Sequence, residues 1–543
     1  MRGAQPMTGQ RARFGYTPRA HTIDDPPEQR RVVVVGAGLV GLTLAIDLRR
    51  QGVPVLLLER SDTVSVGSRS ICQAKRTLEI WDRLGVGEAI RTKGITWRIG
   101  RVFHGGGEVF SFDLLPESGH KMPAFVNLQQ YHVETVLHAR FAEFGGEVRF
   151  LNTLSAIEPR DDGALLTIDT PEGPYRIDAE WVVSCEGSRS TIRSALGLGF
   201  VGETFEDKFL IADVKMRRAE FPTERWFWFN PQFHDGQTSL LHRQADDVWR
   251  IDLQLGWDAD IEAEKHPDRV RQRIETMLGH GDFDFEWLSI YVFQCRTLER
   301  YVHGRVIFAG DSAHQVSPFG ARGGNGGVQD ADNLGWKLRR VLDGSAPPGL
   351  LESYNEERLF AARENILNSK RATDFMTPKS KTSRLLRDQV LTLAVHHPFA
   401  RALVNSGRLS LPAHLGGSRL NTPDDAVWQT GRMGPGSPAA DAPIRRGAAD
   451  GFFLDVLGDR FVALTTDPDA PPSIMVGSHR VDVVVLGRDV TDPTGLLSER
   501  YDLQPGSMIL FRPDQHLALR RRQTDVAALR AGVDRALGRE IPA

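Results

Sequence analysis

Four consecutive valines, Val32 to Val35, run straight into Gly-Ala-Gly-Leu-Val-Gly, and that junction limits the folds open to this chain more than any other stretch. A continuous apolar run suits a strand covered on both faces of a sheet. Gly36, Gly38 and Gly41 set the spacing GxGxxG, and Leu42, Leu44, Ala45, Ile46 and Leu48 continue it with helical periodicity. A second strand, Val53 to Leu58, ends on Glu59. Gly36 allows the tight strand-to-helix turn, Gly38 lets a pyrophosphate approach the backbone, and Gly41 lets helix and strand close up. The helix then offers free N–H groups and a partial positive charge to phosphates, and Glu59 can accept hydrogen bonds from a ribose. Strand, glycines, helix, strand and acid in this order predict a Rossmann-type α/β unit gripping a dinucleotide, with NAD(P) and FAD both open.

A chain of 543 residues exceeds what one hydrophobic core serves, so more than one domain is expected. A net charge of −3 gives no electrostatic reason for a nucleic-acid partner. No apolar run approaches the roughly 20 residues that span a bilayer. Residues 1–30, rich in Arg and Pro and poor in aliphatic residues, read as a disordered arm, with an organellar presequence as the alternative. Cys72, Cys185 and Cys295 lie too far apart for a zinc knuckle or a redox pair, so no metal site is expected and a reducing, cytoplasmic setting fits.

The choice of dinucleotide comes from "RVIFAGDSAHQVSPFGARGGNGGVQD", residues 305–330. Its opening is another buried strand, with Gly310 and Asp311 at the carboxyl end, where open parallel sheets bind ligands. A carboxylate there can accept hydrogen bonds from a sugar-alcohol chain such as the ribityl of a flavin. Beyond the turn at Pro318, Val328, Ala331, Leu334, Leu338 and Val341 keep helical spacing, so Gly323, Gly324 and Asn325 fall at a helix N-terminus. Bare N–H groups and a helix dipole there would stabilise the negative charge of a reduced flavin.

These residues carry a resemblance. The Gly36/Gly38/Gly41 turn, "CEGSRSTIR" at 185–193 and "AGDSAHQVSPFGARGGNGG" at 309–327 resemble the three signatures of the class A flavoprotein monooxygenases, the FAD-dependent aromatic hydroxylases typified by p-hydroxybenzoate and phenol hydroxylases. The resemblance implies FAD, with NADPH or NADH and O2 as co-substrates and hydroxylation of a phenolic ring through a flavin C4a-hydroperoxide. It places Arg69 near the FAD pyrophosphate and the incoming nicotinamide, Gln130 rather than Gln129 on FAD, Asp311 on the ribityl chain, and the Pro318 carbonyl close to the isoalloxazine. Gly323, Gly324 and Asn325 become backbone donors at the pyrimidine edge of the ring. One residue departs from the pattern: Glu186 stands where the family has Asp, which puts the usual contacts near the pyrophosphate in question.

Between the second and third signatures, bulky and polar residues alternate around turn signals, which reads as an antiparallel sheet. The implied architecture has an FAD domain at 31–210 and 285–400, with an inserted substrate-binding sheet at 211–284 joined by part of 95–125. A thioredoxin-like domain at 412–543 follows, cysteine-free and therefore structural or concerned with subunit contact, as in a homodimer. Trp226, Trp228, His242 and Trp249 are candidate substrate residues, each also a candidate for plain core packing, and His242 could assist phenol deprotonation. The last helix is expected to start at Thr524 as N-cap and stop at Gly538. Three rivals remain: a halogenase, since "WFWFNP" approaches the WxWxIP signature with Asn230 in place of Ile; a catalytically idle flavoprotein; and an NAD-dependent dehydrogenase using the first motif alone.

Overall fold

A computed structural model describes residues 12–18, 21–67, 69–216, 221–234, 237–256, 258–404, 409–424, 428 and 433–539. The valine run forms the strand Glu28–Val35, with Val32 to Val34 at most 1% exposed. It pairs in parallel with Leu56–Glu59 on one side and Tyr175–Ser184 on the other, and Glu147–Phe150 and Val306–Phe308 extend the parallel set outward. The helix Leu39–Arg50 covers one face and packs against the 20-residue helix Gly323–Leu342. Both helices begin at the carboxyl edge of this sheet, the edge at which such sheets bind ligands.

A second eight-stranded sheet stands over that edge. Its order runs His314–Gln315, Phe283–Thr297, Val201–Met216, Val248–Leu255, Ser239–Arg243, Arg225–Phe229, Ile99–His104 and Gly107–Asp113. All neighbours are antiparallel except Arg225–Phe229 against Ile99–His104. The sheet outruns the expected span of 211–284, because Val201–Met216 and Phe283–Thr297 stay paired along nearly their whole lengths. Side chains alternate across it. Leu210, Ala212, Trp228, Leu241, Trp249 and Ile251 pack outward on the helix Pro267–Leu278. Phe209, Ile211, Phe227 and Leu240 face inward, where Phe319 joins them, its ring centroid 5.0 Å from that of Phe209.

The C-terminal unit holds a five-stranded sheet ordered Ser473–Val476, His479–Val485, Val462–Thr465, Met508–Phe511, Leu517–Arg521. Val462–Thr465 runs parallel to His479–Val485 and antiparallel to Met508–Phe511. A fully buried ionic cluster fastens this unit to the glycine-led helix and its neighbour: Glu357 receives Lys337 Nζ (2.7 Å) and Arg512 Nη1 (2.6 Å), and Arg512 also grips Asp514 (2.6 Å). Asn333 Nδ2 donates to the same Asp514 (3.1 Å).

Two expectations are corrected. Residues 1–11 and 19–20 of the N-terminal arm lie outside the described residues, but residues 12–18 are laid onto the first sheet. Phe14 stacks on Phe150 at 4.1 Å, its N–H donates to the Asp62 carbonyl, and the Tyr16 hydroxyl donates to Thr170. Two aromatic rings thus supply the packing that the missing aliphatic residues do not. The last helix, Val526–Ala536, is capped by Asp525, whose carboxylate accepts from the Ala528 N–H, while the Thr524 hydroxyl donates to the Gly506 carbonyl. No helix among the described residues is long and apolar enough to cross a membrane.

Candidate functional site

The first glycine turn has the conformation its sequence requires. Gly36 takes φ +106, and a Cβ there would collide with the Cys185 carbonyl. A Cβ on Gly41 would collide with the Gly36 carbonyl, whereas one on Gly38 would meet nothing nearer than Glu134 Oε1 at 3.7 Å. Gly38 is therefore the open position through which a phosphate can reach the backbone. Helical bonding begins with the Leu42 N–H donating to the Gly38 carbonyl (3.0 Å), so the N–H groups of Leu39, Val40 and Gly41 precede the ladder. Glu59 accepts from the Ala37 N–H (2.8 Å) and the Ser61 N–H (2.9 Å), which holds it at the rim of the turn with acceptor capacity to spare.

Gln130 and Gln129 diverge. Gln130 Oε1 accepts from the Ser70 N–H and its amide donates to Glu134 Oε1, while Glu134 Oε2 accepts from the Ser65 N–H. This chain of bonds fixes the segment bearing Arg69, which is exposed. Gln129 is buried and donates to the Ala245 carbonyl, tying the turn to the second sheet. Glu134, which no motif flags, is the buried pivot, and burial pushes its carboxyl above the usual range.

The two glycine segments meet. A Cβ on Gly327 would lie 2.6 Å from Val40 Cγ2 and 3.1 Å from Gly310 Cα, and one on Gly324 would lie 2.5 Å from Ser70 Oγ. The N–H groups of Gly323, Gly324 and Asn325 open the second helix, since its first ladder bond runs from the Gly326 N–H to the Arg322 carbonyl. The Asn325 side chain is turned inward: Oδ1 accepts from the Ala74 N–H, and Nδ2 donates to the Cys72 and Ala321 carbonyls. Only its main chain is left to serve a ligand. Pro318 is exposed, and its carbonyl already accepts a turn bond from the Ala321 N–H (3.0 Å).

Asp311 stands exposed in the cleft between these segments, where the surrounding walls displace water and raise its carboxyl pKa, opposed by His314 and Arg69. Beneath it, fully buried Asp330 accepts from the Gly310 N–H (3.0 Å) and Arg358 Nε (2.7 Å) and pairs with His314 Nε2 (2.6 Å). Burial raises the pKa of Asp330, but His314 and Arg358 outweigh it and keep the carboxyl below its ordinary range. Arg358 also donates to the Gly326 carbonyl, so one ion cluster holds both ends of the segment from Gly310 to Gly326. No motif marks Asp330; its place two turns into a glycine-led helix is the available signal.

Glu186 has a task of its own. Its carboxylate accepts from the hydroxyls of Ser184 and Ser190 (2.9 and 2.5 Å) and from the N–H groups of Thr191 and Ile192 (2.9 and 3.2 Å), capping the short helix Thr191–Ala195. That segment adjoins the cleft, because Arg193 donates to the Ser312 carbonyl (3.4 Å).

The four aromatic candidates of the second sheet separate by face. Trp226, Trp228 and Trp249 alternate with Arg225 and Arg250 along their strands and join the outer core with the helix Pro267–Leu278. The three tryptophans therefore do not share a pocket with His242, a correction that follows from the two-residue period of a strand. His242 lies on the inner face, 2% exposed, and burial together with Arg225 and Arg250 holds its pKa well below the usual value, so it is neutral.

The residues present fit FAD: two bare helix N-termini, one open glycine and one cleft carboxylate converge on one groove. Comparison with known proteins gives the same answer. The family described as FAD binding domain matches residues 29–369. A flavin-dependent monooxygenase of Mycobacteroides abscessus is 31% identical over 509 residues, covering 90% of this chain and 96% of the relative. A 12-dehydrotetracycline 5-monooxygenase/anhydrotetracycline 6-monooxygenase of Streptomyces rimosus is 32% identical over 68% of this chain and 77% of its own. Among solved structures, the flavin-dependent monooxygenase PieE in complex with FAD and substrate superposes with a TM-score of 0.82 over 95% of this chain and all of its own, at 22% identity. The anhydrotetracycline hydroxylase OxyS of Streptomyces rimosus gives 0.72 at 26% identity, over the same 95% and all of its own chain.

Proposed function

This chain belongs to the FAD-binding-domain family and is an FAD-dependent aromatic monooxygenase, and we propose that it hydroxylates a phenolic ring at the expense of O2 and NADPH or NADH. The observation that carries this reading is the meeting of the two glycine-led helices around Val40, Gly310 and Gly327, with Asp311 in the cleft beside them. Bound FAD supplies the redox chemistry, accepting hydride from the nicotinamide and activating O2 for insertion of one oxygen atom.

The chain's own groups bind, orient and shield. The turn at Gly36, Gly38 and Gly41 takes the pyrophosphate and Glu59 the adenosine ribose. Asp311 takes the ribityl hydroxyls, and Gln130 steadies the segment that brings Arg69 to the pyrophosphate and the nicotinamide. The N–H groups of Gly323, Gly324 and Asn325 meet the pyrimidine edge of the ring and favour its reduced, anionic form. Pro318 bounds the isoalloxazine side, Glu186 shapes its neighbourhood through the helix it caps, and the inner face of the second sheet roofs the substrate and excludes water.

The same reading divides the chain into an FAD domain, a substrate sheet and a C-terminal thioredoxin-like domain, with a homodimer in the cytoplasm as the working assembly. The parallel pair in the C-terminal sheet, with one antiparallel strand on one side and two on the other, supports the thioredoxin-like assignment, and the absence of cysteine beyond Cys295 leaves its role structural or in subunit contact. The test is a screen of phenols for stimulated consumption of NADPH, NADH and oxygen, with product mass as readout. A product heavier by one oxygen atom is expected; nicotinamide oxidation indifferent to every phenol would overturn the reading.

A further inference from the structure

The inner face of the second sheet carries a polar cluster that the roles above leave unused. Arg225, His242 and Arg250 are direct cross-strand neighbours, and Asp252 follows Arg250 by two positions, so all four share one face. Arg250 is occupied: its Nε and Nη2 donate to Asp213 at 2.8 and 3.0 Å. Each of the other three keeps a polar atom without a hydrogen-bond partner among the described residues: Arg225 Nε, His242 Nε2 and Asp252 Oδ1.

Arg225 is 4% exposed. Its guanidinium lies over the Phe227 ring, 5.1 Å from the centroid, and its Nη1 meets the Cys72 sulfur at 3.9 Å, the same sulfur that His242 Nδ1 approaches at 3.8 Å. A buried donor or acceptor left unsatisfied is costly, and native proteins keep few of them. Three on one face mark a place completed by something else. Phe227 and Leu240 supply an apolar wall on the same face, and the Cys72 carbonyl accepts from Asn325 at the head of the glycine-led helix, so the cluster adjoins the proposed flavin groove.

Resting on the function proposed above, we propose that Arg225, His242 and Asp252 anchor the polar edge of the substrate, and that this substrate is an aromatic ring bearing two neighbouring oxygens. One is a hydroxyl that donates to Asp252; the other accepts from the Arg225 Nε–H. A carboxylate would satisfy Arg225 but set a second anion against Asp252, so the anchor selects vicinal oxygens over an acid. Neutral His242 lies between the two, its Nε2 3.9 Å from Asp252 Oδ2, and completes the edge without adding charge.

The test uses oxidised, FAD-loaded enzyme under anaerobic conditions, with the perturbation of the flavin spectrum as the binding signal and catechol, resorcinol and salicylate as probes. Catechol is expected to bind at least about tenfold tighter than resorcinol, and salicylate no tighter than resorcinol. Arg225→Gln and Asp252→Asn should each bring the catechol-to-resorcinol ratio to within about twofold of unity while FAD is retained. Equal binding of the two isomers to the wild-type enzyme, a ratio that survives both substitutions, or a spectrum unmoved by every probe would overturn the anchor. Should either variant fail to fold, the wild-type ratio decides alone. This readout needs no turnover, so its failure is distinct from a failure to oxidise NADPH.

Discussion

The two eight-stranded sheets work by opposite means. In the first sheet, parallel at its centre, the groups proposed to meet a ligand are mainly main-chain N–H groups at the starts of the helices Leu39–Arg50 and Gly323–Leu342, joined by the side chains of Glu59 and Asp311. In the antiparallel sheet the offered groups are side chains, and the face on which each stands decides whether it meets ligand or core. A main-chain site needs glycine at fixed positions and so writes itself into the sequence. A side-chain site on a sheet buried on both faces leaves no such mark, because a strand such as Val248–Leu255 alternates polar and apolar residues as a half-exposed strand would, and nothing in the alternation marks the polar face as an interior one.

That contrast can be pressed from its strongest point downward. Gly41→Val drives a branched side chain into the Gly36 carbonyl and should abolish FAD retention altogether, read as flavin content after purification; a yellow, stoichiometric variant would break the main-chain account. Trp228→Ala empties the outer core and should cost about 3–5 kcal/mol in chemical denaturation. Ligand binding by its folded fraction should be unchanged, whereas His242→Gln should do the reverse; a swap of these effects would mean that the two faces have been exchanged. Asp311→Ala should weaken FAD about 10- to 100-fold, the worth of one or two hydrogen bonds to a charged group, with the melting point nearly unmoved.

The smallest effect concerns pH. The carboxyls of Glu357 and Asp514 are raised by burial but lowered further by Arg512, with Lys337 adding to Glu357 and His516 to Asp514, so both stay below their ordinary values of 4.5 and 3.8. Groups depressed in the folded state bind protons first in the unfolded one, so their stabilisation is complete above about pH 5 and is lost as pH falls. Unfolding free energy should therefore be flat from about pH 7 to 5 in this respect and then drop by about 1 kcal/mol per pH unit for each carboxyl. A C-terminal unit whose stability does not fall below about pH 5 would show that the buried cluster does not fasten it.

Much of the cofactor side was legible in the sequence, because Gly36, Gly41, Gly324 and Gly327 stand where a side chain would collide with its surroundings. Asp330 and Glu134 were not legible, since each acts through partners such as Arg358 and Ser65 that only folding brings near. Glu186 looked like a damaged motif, yet its extra methylene belongs to a helix cap that requires the course of residues 184–192 to be known. On the substrate side, aromatic content pointed to Trp226, Trp228 and Trp249, and strand phase moved them to the outer core. Arg225 and Asp252 escaped notice for the same reason, being set apart from ordinary surface charges only by the face they share with His242.

All of this depends on one flavin being held by both glycine segments at once. The most direct measurement is a structure of the FAD-loaded protein. The account predicts one FAD per chain, its pyrophosphate at the turn from Gly36 to Gly41 and its ring edge within hydrogen-bond distance of the N–H groups of Gly324 and Asn325. A protein that takes up no FAD, or one whose ring points away from that helix start, would contradict it.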